Sequence, residues 1–381
     1  MNRLFIHAFL YQTLTILSRI GITYLAVDIG LDATHVGLIS GAFGLPALFG
    51  LNFGRYIDRA GERAALVWGS LFMVGTSACL ALTPPSFIVL VVLSFLLGIG
   101  QFLGVAAQQS AVGRSLTHNG VNYYGRLTLV VSLAQTAGPL FLVFFTSDQL
   151  VPDTRTLFAL ASIMGIVTLL LALGSNGFPP QAGASPMRLM RMANVLLTTR
   201  GYLLATTASL VVVGATDLIV VFLPLLGAEH SIAAGTIGML LSMRACASMI
   251  SRIFFNWLLD RLGMSRLLTA SLLLASFGIG ALTLSTNAFV MGAMLFIAGI
   301  GLGIGAPLTL TWLVRIVPAD IQGSAISGRL ALNALALVAA PVFAGSAILT
   351  IGIGGVFLAI SACLVADAAV IALRRNNPER V

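Results

Sequence analysis

The chain of 381 residues is 58% hydrophobic and 8% charged, where a soluble domain is about a quarter charged, so a water-soluble fold is excluded. Its net charge of +8 comes from arginine alone, with no lysine, and the arginines sit mostly in short segments between apolar runs, which argues against a nucleic-acid surface. Cys79, Cys246 and Cys363 lie far apart within apolar runs and read as packing residues, not as a disulfide or metal site. The runs recur along the whole chain, each near the roughly 20 residues that cross a bilayer as a helix. They are continuous rather than alternating, which excludes a β-barrel.

Spans are predicted at 4–27, 35–55, 64–83, 87–113, 123–146 and 157–174, then at 202–226, 235–257, 266–284, 288–315, 324–349 and 354–373. The first carries His7, Gln12 and Arg19; the arginine, and the spans that follow at once, argue against a cleaved signal. The second ends in a charged turn, Gly54-Arg55-Tyr56-Ile57-Asp58-Arg59-Ala60-Gly61-Glu62-Arg63. Gln101 and Gln108 lie in the fourth span, which ends at Arg114, and Gln135 lies in the fifth. Residues 175–201, with Pro179, Pro180, Gly183 and Pro186, read as a linker with a short interfacial helix at 187–197. Asp217 is in the seventh span and Arg244 and Arg252 in the eighth, which closes on a second charged turn around Asp260-Arg261-Leu262-Gly263. The tenth holds Gly299, Gly301, Gly303 and Gly305 and ends at Arg315. With no preceding strand, these glycines and Gly98-x-Gly100 predict close helix packing rather than a nucleotide loop. No Walker lysine motif, H-E-x-x-H or G-x-S-x-G is found, so neither ATP-driven pumping nor hydrolysis is supported and the chain reads as a non-enzyme.

With both termini and the linker cytoplasmic, 16 arginines fall in or beside cytoplasmic segments, Arg155 alone lies outside, and Arg19, Arg244 and Arg252 lie within spans. That is the asymmetry of the positive-inside rule. The two charged turns are copies: Asp58 and Asp260 are 202 residues apart. Gly98, Gly100, Gly104 and Arg114 match Gly299, Gly301, Gly305 and Arg315 at 201, Gly125-Arg126-Leu127 matches Gly328-Arg329-Leu330 at 203, and Pro139 matches Pro341 at 202. A nearly constant offset indicates duplication, and an even number of spans per half makes the halves parallel repeats.

On these motifs the chain resembles the major facilitator superfamily. Gly54-xxx-Asp58-Arg59-x-Gly61-x-Arg63 is similar to that family's signature between its second and third helices, and the Asp260 copy to the weaker one between helices eight and nine. Glu62 departs from it, standing where a basic residue is usual, and Asn256 replaces a glycine. The resemblance implies an all-α membrane protein of twelve helices in two pseudo-symmetric six-helix bundles, 1–174 and 202–381, joined by a cytoplasmic linker at 175–201 and working by alternating access. It implies a gate in which Asp58 faces residues 324–329 with Arg114 as partner, and Asp260 faces 123–126 beside Arg315, with Arg59, Arg63 and Arg261 completing the turns. The alternative is that these charges only set loop topology and solubility. Ala134-xxx-Gly138-Pro139 resembles the core of a drug:proton antiporter signature, although Leu142 and Val143 replace its closing glycines and Ser94 stands where a membrane arginine is usual.

Charges inside a span each cost roughly 2.5–3.5 kcal/mol on insertion scales and default to functional candidates. Arg19, Asp217 and Arg244 each lie about nine residues from the outer end of their span, a common depth of about 14 Å at 1.5 Å per residue. One arginine left over after pairing with Asp217 suits a carboxylate or phosphate; the alternative is a structural ion-pair network. Gln12, Gln108 and Gln135 offer hydrogen bonds to a ligand or across helices. His7 reads as an interfacial histidine, and Arg252 as snorkelling or joining the Asp260 turn. The leading expectation is a monomeric exporter of a small organic molecule, without cofactor, driven by the proton gradient across a bacterial inner membrane. Uptake of an organic anion and a transport-inactive sensor are the alternatives.

Overall fold

In the computed structural model the chain is described over residues 1–119, 123–145, 150–175, 201–317 and 322–375, with backbone only at 51, 116–119, 145, 322–324, 327, 374 and 375. The helix predicted at 187–197 lies outside these residues. Among the described residues every regular element is helical: α1 (Asn2–Asp28), α2 (Ala33–Gly44), α3 (Gly50–Ala60), α4 (Glu62–Leu82), α5 (Phe87–Asn119), α6 (Tyr124–Phe145) and α7 (Thr154–Leu173), then α8 (Tyr202–Glu229), α9 (Ala234–Ile253), α10 (Phe255–Leu262), α11 (Met264–Ala281), α12 (Ala288–Ile316) and α13 (Gln322–Arg375). Ten of the helical stretches are long and apolar enough to span a membrane, eleven if the bent pair Ala33–Phe49 and Asn52–Ala60 is one span. Apolar side chains such as Phe289, Leu284 and Leu82 are more than 80% exposed, which only a hydrocarbon solvent tolerates on this scale. The protein is an integral membrane protein.

Three predicted spans are interrupted. The second bends by 57° between Ala33–Phe49 and Asn52–Ala60, just after a 3-10 turn at Leu45–Phe49. Pro46 stands in that turn, where its ring nitrogen has no proton to donate to the carbonyl one turn back. The eighth breaks between Ile253 and Phe255. The last two run together as α13, broken by Gly352 at φ 70°, ψ 169°. The cysteines also correct the expectation: Cys79 and Cys363 are exposed and only Cys246 is half-buried, so two of three face outward.

The chain forms two compact units. The first comprises Met1–Ala184 with Val220–Ser242 and Pro341–Ser346. Within it α1 packs on α6 and α7, α4 on α5 and α7, and α2 on α5. Asp32 caps α2 and Asp153 caps α7, each accepting a backbone N–H three residues on. The His35 backbone bond holds the Asp32 carboxyl below its usual range, and the Thr156 hydroxyl does the same for Asp153. The second unit comprises Ser185–Ile219, Met243–Ala340 and Ala347–Val381. There α11 packs along α12. Ser276 and Ser361 hydroxyls meet at 2.8 Å to tie α11 to the part of α13 beyond Gly352, and Ser209 donates to Asn333 at 3.0 Å to tie α8 to the part before it.

The glycine stripes do what the sequence predicts, twice over. Gly98 of α5 lies against the Phe43 carbonyl, and Gly299 of α12 against the Arg244 carbonyl. Gly100 lies on the backbone of Gly69, and Gly301 on that of Ser271; Gly104 lies on the Tyr11 ring, and Gly305 on Val212. Each pair of contacts is related by an offset of 201 or 202, so the duplication is written in packing as well as in sequence. The closest approaches leave no room for a Cβ, and only glycine lets the backbones touch. Gly61 and Gly263 also match, at φ 84° and 72°, ending α3 and α10 in an extended left-handed conformation that side chains avoid.

Unit 1 contains one further pair related by the same offset. Gly37 of α2 abuts the Pro341 carbonyl of α13, and Gly238 of α9 abuts the Pro139 carbonyl of α6. Gly345 lies on the Ala33 carbonyl, and Thr34 donates to the Gly345 carbonyl at 3.4 Å. Each contact joins one sequence half to the other, and the roles are exchanged between the copies.

Candidate functional site

In unit 1 the polar side chains of α1 form two linked networks. His7 is 1% exposed, which corrects its reading as an interfacial residue. Its ring nitrogens contact Ser70 Oγ and Gln108 Nε2, each at 3.2 Å, and the ring stacks on Tyr11, whose hydroxyl donates to the Gly100 carbonyl. One turn further on, Gln101 donates to Gln12 at 3.2 Å and accepts from Thr15 at 2.7 Å. Two of the predicted glutamines, Gln12 and Gln108, are therefore engaged across helices, while Gln135 is half-buried on α6. Arg19 donates to Ser40 Oγ at 3.2 Å and lies 4.4 Å above the Phe43 ring, a cation–π contact. It lines a cleft with Ser40, Phe43, Ser94, Val220 and Val221.

Unit 2 holds Asp217 and Arg244, both buried. Arg244 Nε has no hydrogen-bond partner among the described residues. Arg329, the copy of Arg126 and the end of the segment expected to face Asp58, is also buried, and donates to the Ala306 carbonyl at 3.2 Å and to Thr309 Oγ1 at 3.4 Å. Arg126 itself is exposed and stacks over the Phe5 and Tyr123 rings at 5.2 and 6.0 Å. A repeat match marks position, not burial.

Arg252 meets a need on a neighbouring helix. Pro307 sits inside α12 and has no N–H, so the Gly303 carbonyl, four residues earlier, loses its helical donor. Arg252 Nε reaches that carbonyl at 3.3 Å. Arg252→Met is expected to lower stability by about 1–3 kcal/mol, the cost of a buried orphan acceptor. In a Pro307→Ala background the restored N–H should remove most of that loss. Thermal unfolding of the two single variants and the double variant checks it; additive losses would sink the assignment.

The first charged turn is tied down by three arginine contacts, and a fourth arginine, Arg3, joins Arg63 at the end of α7. Arg114 Nε meets Glu62 Oε1 at 2.7 Å, and its NH2 lies 3.9 Å from Asp58. Arg63 donates to the Leu173 carbonyl at 2.7 Å and Arg3 to that of Gly174 at 2.8 Å, placing cations at the C-terminal end of α7, where the helix dipole favours them. Arg59 is exposed. In the second turn Arg261 lies 5.7 Å from the Trp257 ring, and Asp260 and Arg315 are exposed. Sequence reasoning found Arg114 but treated Glu62 only as a departure.

The profile described as Major Facilitator Superfamily matches residues 4–204 and 205–381. Among solved structures the chain is similar to a variant of the nucleoside transporter NupG, at 11% identity over 97% of this chain and 98% of that one, with a TM-score of 0.84. It is similar to a POT family transporter in complex with 5-aminolevulinic acid, at 15% identity over 98% and 95% of the two chains, TM-score 0.81. A D-xylose-proton symporter matches at 15% identity over 97% and 95%, TM-score 0.73. The first is a nucleoside transporter, the second a POT family transporter with 5-aminolevulinic acid bound and the third a D-xylose-proton symporter; at such identities the likeness concerns fold. The chain belongs to the Major Facilitator Superfamily, and is a secondary transporter of that type rather than an enzyme.

Proposed function

We propose that the protein exports a small organic molecule, anionic or zwitterionic, in exchange for protons by alternating access. The observation that carries the substrate class is Arg244: a buried guanidinium, its Nε without a hydrogen-bond partner among the described residues, is suited to a ligand's carboxylate or phosphate. In this reading Arg19, Asp217, Gln12, Gln108 and Gln135 are the further substrate or coupling residues, with Asp217 as counter-ion and proton carrier. The Gly138-Pro139 motif favours export, and its backbone is the one against which Gly238 packs. Taking α13 as two spans about Gly352, and α2 with α3 as one, brings the count to twelve in bundles 1–174 and 202–381, with 175–201 as a cytoplasmic linker. The termini lie in the cytoplasm, the membrane is a bacterial inner membrane, and the chain acts as a monomer. Asp58 and Asp260, with Arg59, Arg63, Arg114, Arg261 and Arg315, form the cytoplasmic gate.

The second reading is uptake of an organic anion through the same residues, favoured by the nucleoside, peptide and sugar carriers among the fold relatives. Direction-resolved flux in proteoliposomes, with and without an imposed pH gradient, separates export from uptake and both from a transport-inactive sensor. Thermal stabilisation by a panel of carboxylates, phosphates, nucleosides, peptides and sugars identifies the class. Arg244→Ala is expected to lose about tenfold or more in affinity for the stabilising anion, consistent with a charged hydrogen bond. If Arg244→Ala and Arg19→Ala both bind and transport like the parent, the substrate site lies elsewhere.

A further inference from the structure

The two charged turns share a backbone but not a charge pattern. Gly61 and Gly263 adopt the same conformation, and each is followed at once by a helix. After Gly61 comes Glu62; after Gly263 comes Met264. The turn therefore forms without a carboxylate, and Glu62 is present for another reason.

Its surroundings give that reason. Glu62 is 1% exposed, in the first turn of α4, where the helix dipole favours a negative charge. Its Oε1 accepts from Arg114 Nε at 2.7 Å and from Ser110 Oγ at 2.9 Å. Ser110 and Arg114 are four residues apart on α5 and so present one face to it. Glu62 Oε2 has no hydrogen bond among the described residues, so the pair is held through one oxygen. The Asp58 side chain is 48% exposed and lies 3.9 Å from Arg114. A buried contact at 2.7 Å in low dielectric outweighs a half-exposed one at 3.9 Å, which solvent screens. In the second copy, Arg315 is exposed and position 264 offers it no charge.

We propose that Glu62 is the positioning residue of the first turn. It holds Arg114 in place of Asp58, clamps the start of α4 to α5, and leaves the Asp58 carboxylate exchangeable. The two turns are then unequal: the first is anchored within its own unit by a buried ion pair, and the second shows no such anchor among the described residues. The transport half of this inference rests on the reading of the turn as a gate; the pairing itself does not, and the two are measured separately.

Pairing is tested by thermal unfolding of Glu62→Gln, Asp58→Asn, Arg114→Met and the two double variants. Glu62→Gln and Arg114→Met are each expected to lower Tm by about 4–10 °C, and the Glu62→Gln/Arg114→Met double by no more than the larger single loss. Asp58→Asn should shift Tm by at most about 2 °C, additively with Arg114→Met. The charge-exchanged pair, Glu62→Arg with Arg114→Glu, should recover part of the loss. Should Glu62→Gln fail to fold, Asp58→Asn still decides: a loss matching that of Arg114→Met would make Asp58 the partner and overturn the proposal. Positioning is read from maleimide labelling of Ala60→Cys, an exposed residue of the turn, with Cys79, Cys246 and Cys363 replaced by serine. Labelling should accelerate about fivefold or more in Glu62→Gln and stay within about twofold in Asp58→Asn. Equal rates in all three backgrounds would leave Glu62 without a positioning role even if the ion pair is real. If pairing and labelling behave as expected while flux is unchanged, the gate reading fails and the anchor stands.

Discussion

Gly238→Val is expected to abolish transport while leaving a folded, monodisperse protein, and Gly37→Val to do the same. A Cβ on Gly37 would lie 3.1 Å from the Pro341 carbonyl carbon and 3.2 Å from Gly345 Cα, closer still to the Pro341 oxygen. On Gly238 it would meet Leu142 Cβ at 2.9 Å as well as the Pro139 oxygen. The obstacle is backbone in both cases, which cannot rotate away, so overpacking costs about 1–3 kcal/mol. If these contacts part during the alternating-access cycle proposed above, that energy falls on the state in which they are closed. A bias of about 1–3 kcal/mol changes the ratio of two states by roughly 5- to 150-fold, enough to stall a cycle that must visit both. Two readouts check the claim. Flux in proteoliposomes should fall to a few per cent or less, and Val36→Cys, buried beside Gly37, should become accessible to an aqueous maleimide in the Gly37→Val background. Parental flux together with an inaccessible Val36→Cys would mean that the seam yields locally and does not gate.

The parts of this fold that could be read from sequence are those in which spacing and physics meet. Gly98 and Gly299 announce close packing because a glycine inside an apolar run has few other uses, and the offset of 201 says that the same contact is built twice. The D-R-x-G turns were legible because Gly61 and Gly263 end a helix where only glycine is comfortable. What stayed hidden depends on distance across the fold. Glu62 looked like an anomaly because its partner, Arg114, lies 52 residues on, and a one-dimensional reading assigned that partner to the motif's better-known aspartate. His7 looked interfacial by its place near a helix end, yet Ser70 and Gln108 close over it from other helices. Arg252 needed Pro307 to be understood, since the need it meets is a missing backbone donor on another helix. Cys79 and Cys363 were taken for core because hydrophobicity in a membrane span does not distinguish a lipid-facing side from a packed one.

The duplication makes a second prediction whose sign depends on geometry alone. Gly98→Ala and Gly299→Ala are each expected to destabilise the protein by about 1–3 kcal/mol, although alanine is by about 0.5–1 kcal/mol the better helix former. At Gly299 the added methyl would lie 2.9 Å from Ala247 Cβ and 3.0 Å from the Arg244 carbonyl carbon; at Gly98 it would lie 3.1 Å from Phe43 C and from Pro46 Cγ. Relief requires α12 to move off α9, or α5 off α2. That movement also stretches the Ser248 bond to the Gly299 carbonyl in unit 2 or the Ser94 bond to the Ile39 carbonyl in unit 1, both 2.8 Å. Gly75→Ala is the control: nothing lies within 4 Å of the added atom, so only propensity acts and the variant should be as stable as the parent or slightly more so. The Gly98 and Gly299 sites share no contact residue and belong to different units, so the double variant should lose the sum of the single losses within about 0.5 kcal/mol. Gly69 and Gly100 face each other's backbone, and their alanine variants should not add, because the first substitution already parts α4 from α5. Thermal or urea unfolding of these variants distinguishes the cases. If Gly299→Ala stabilises as Gly75→Ala does, the close approach of α9 and α12 is not needed for folding, and the matched glycines would then be kept for motion between those helices.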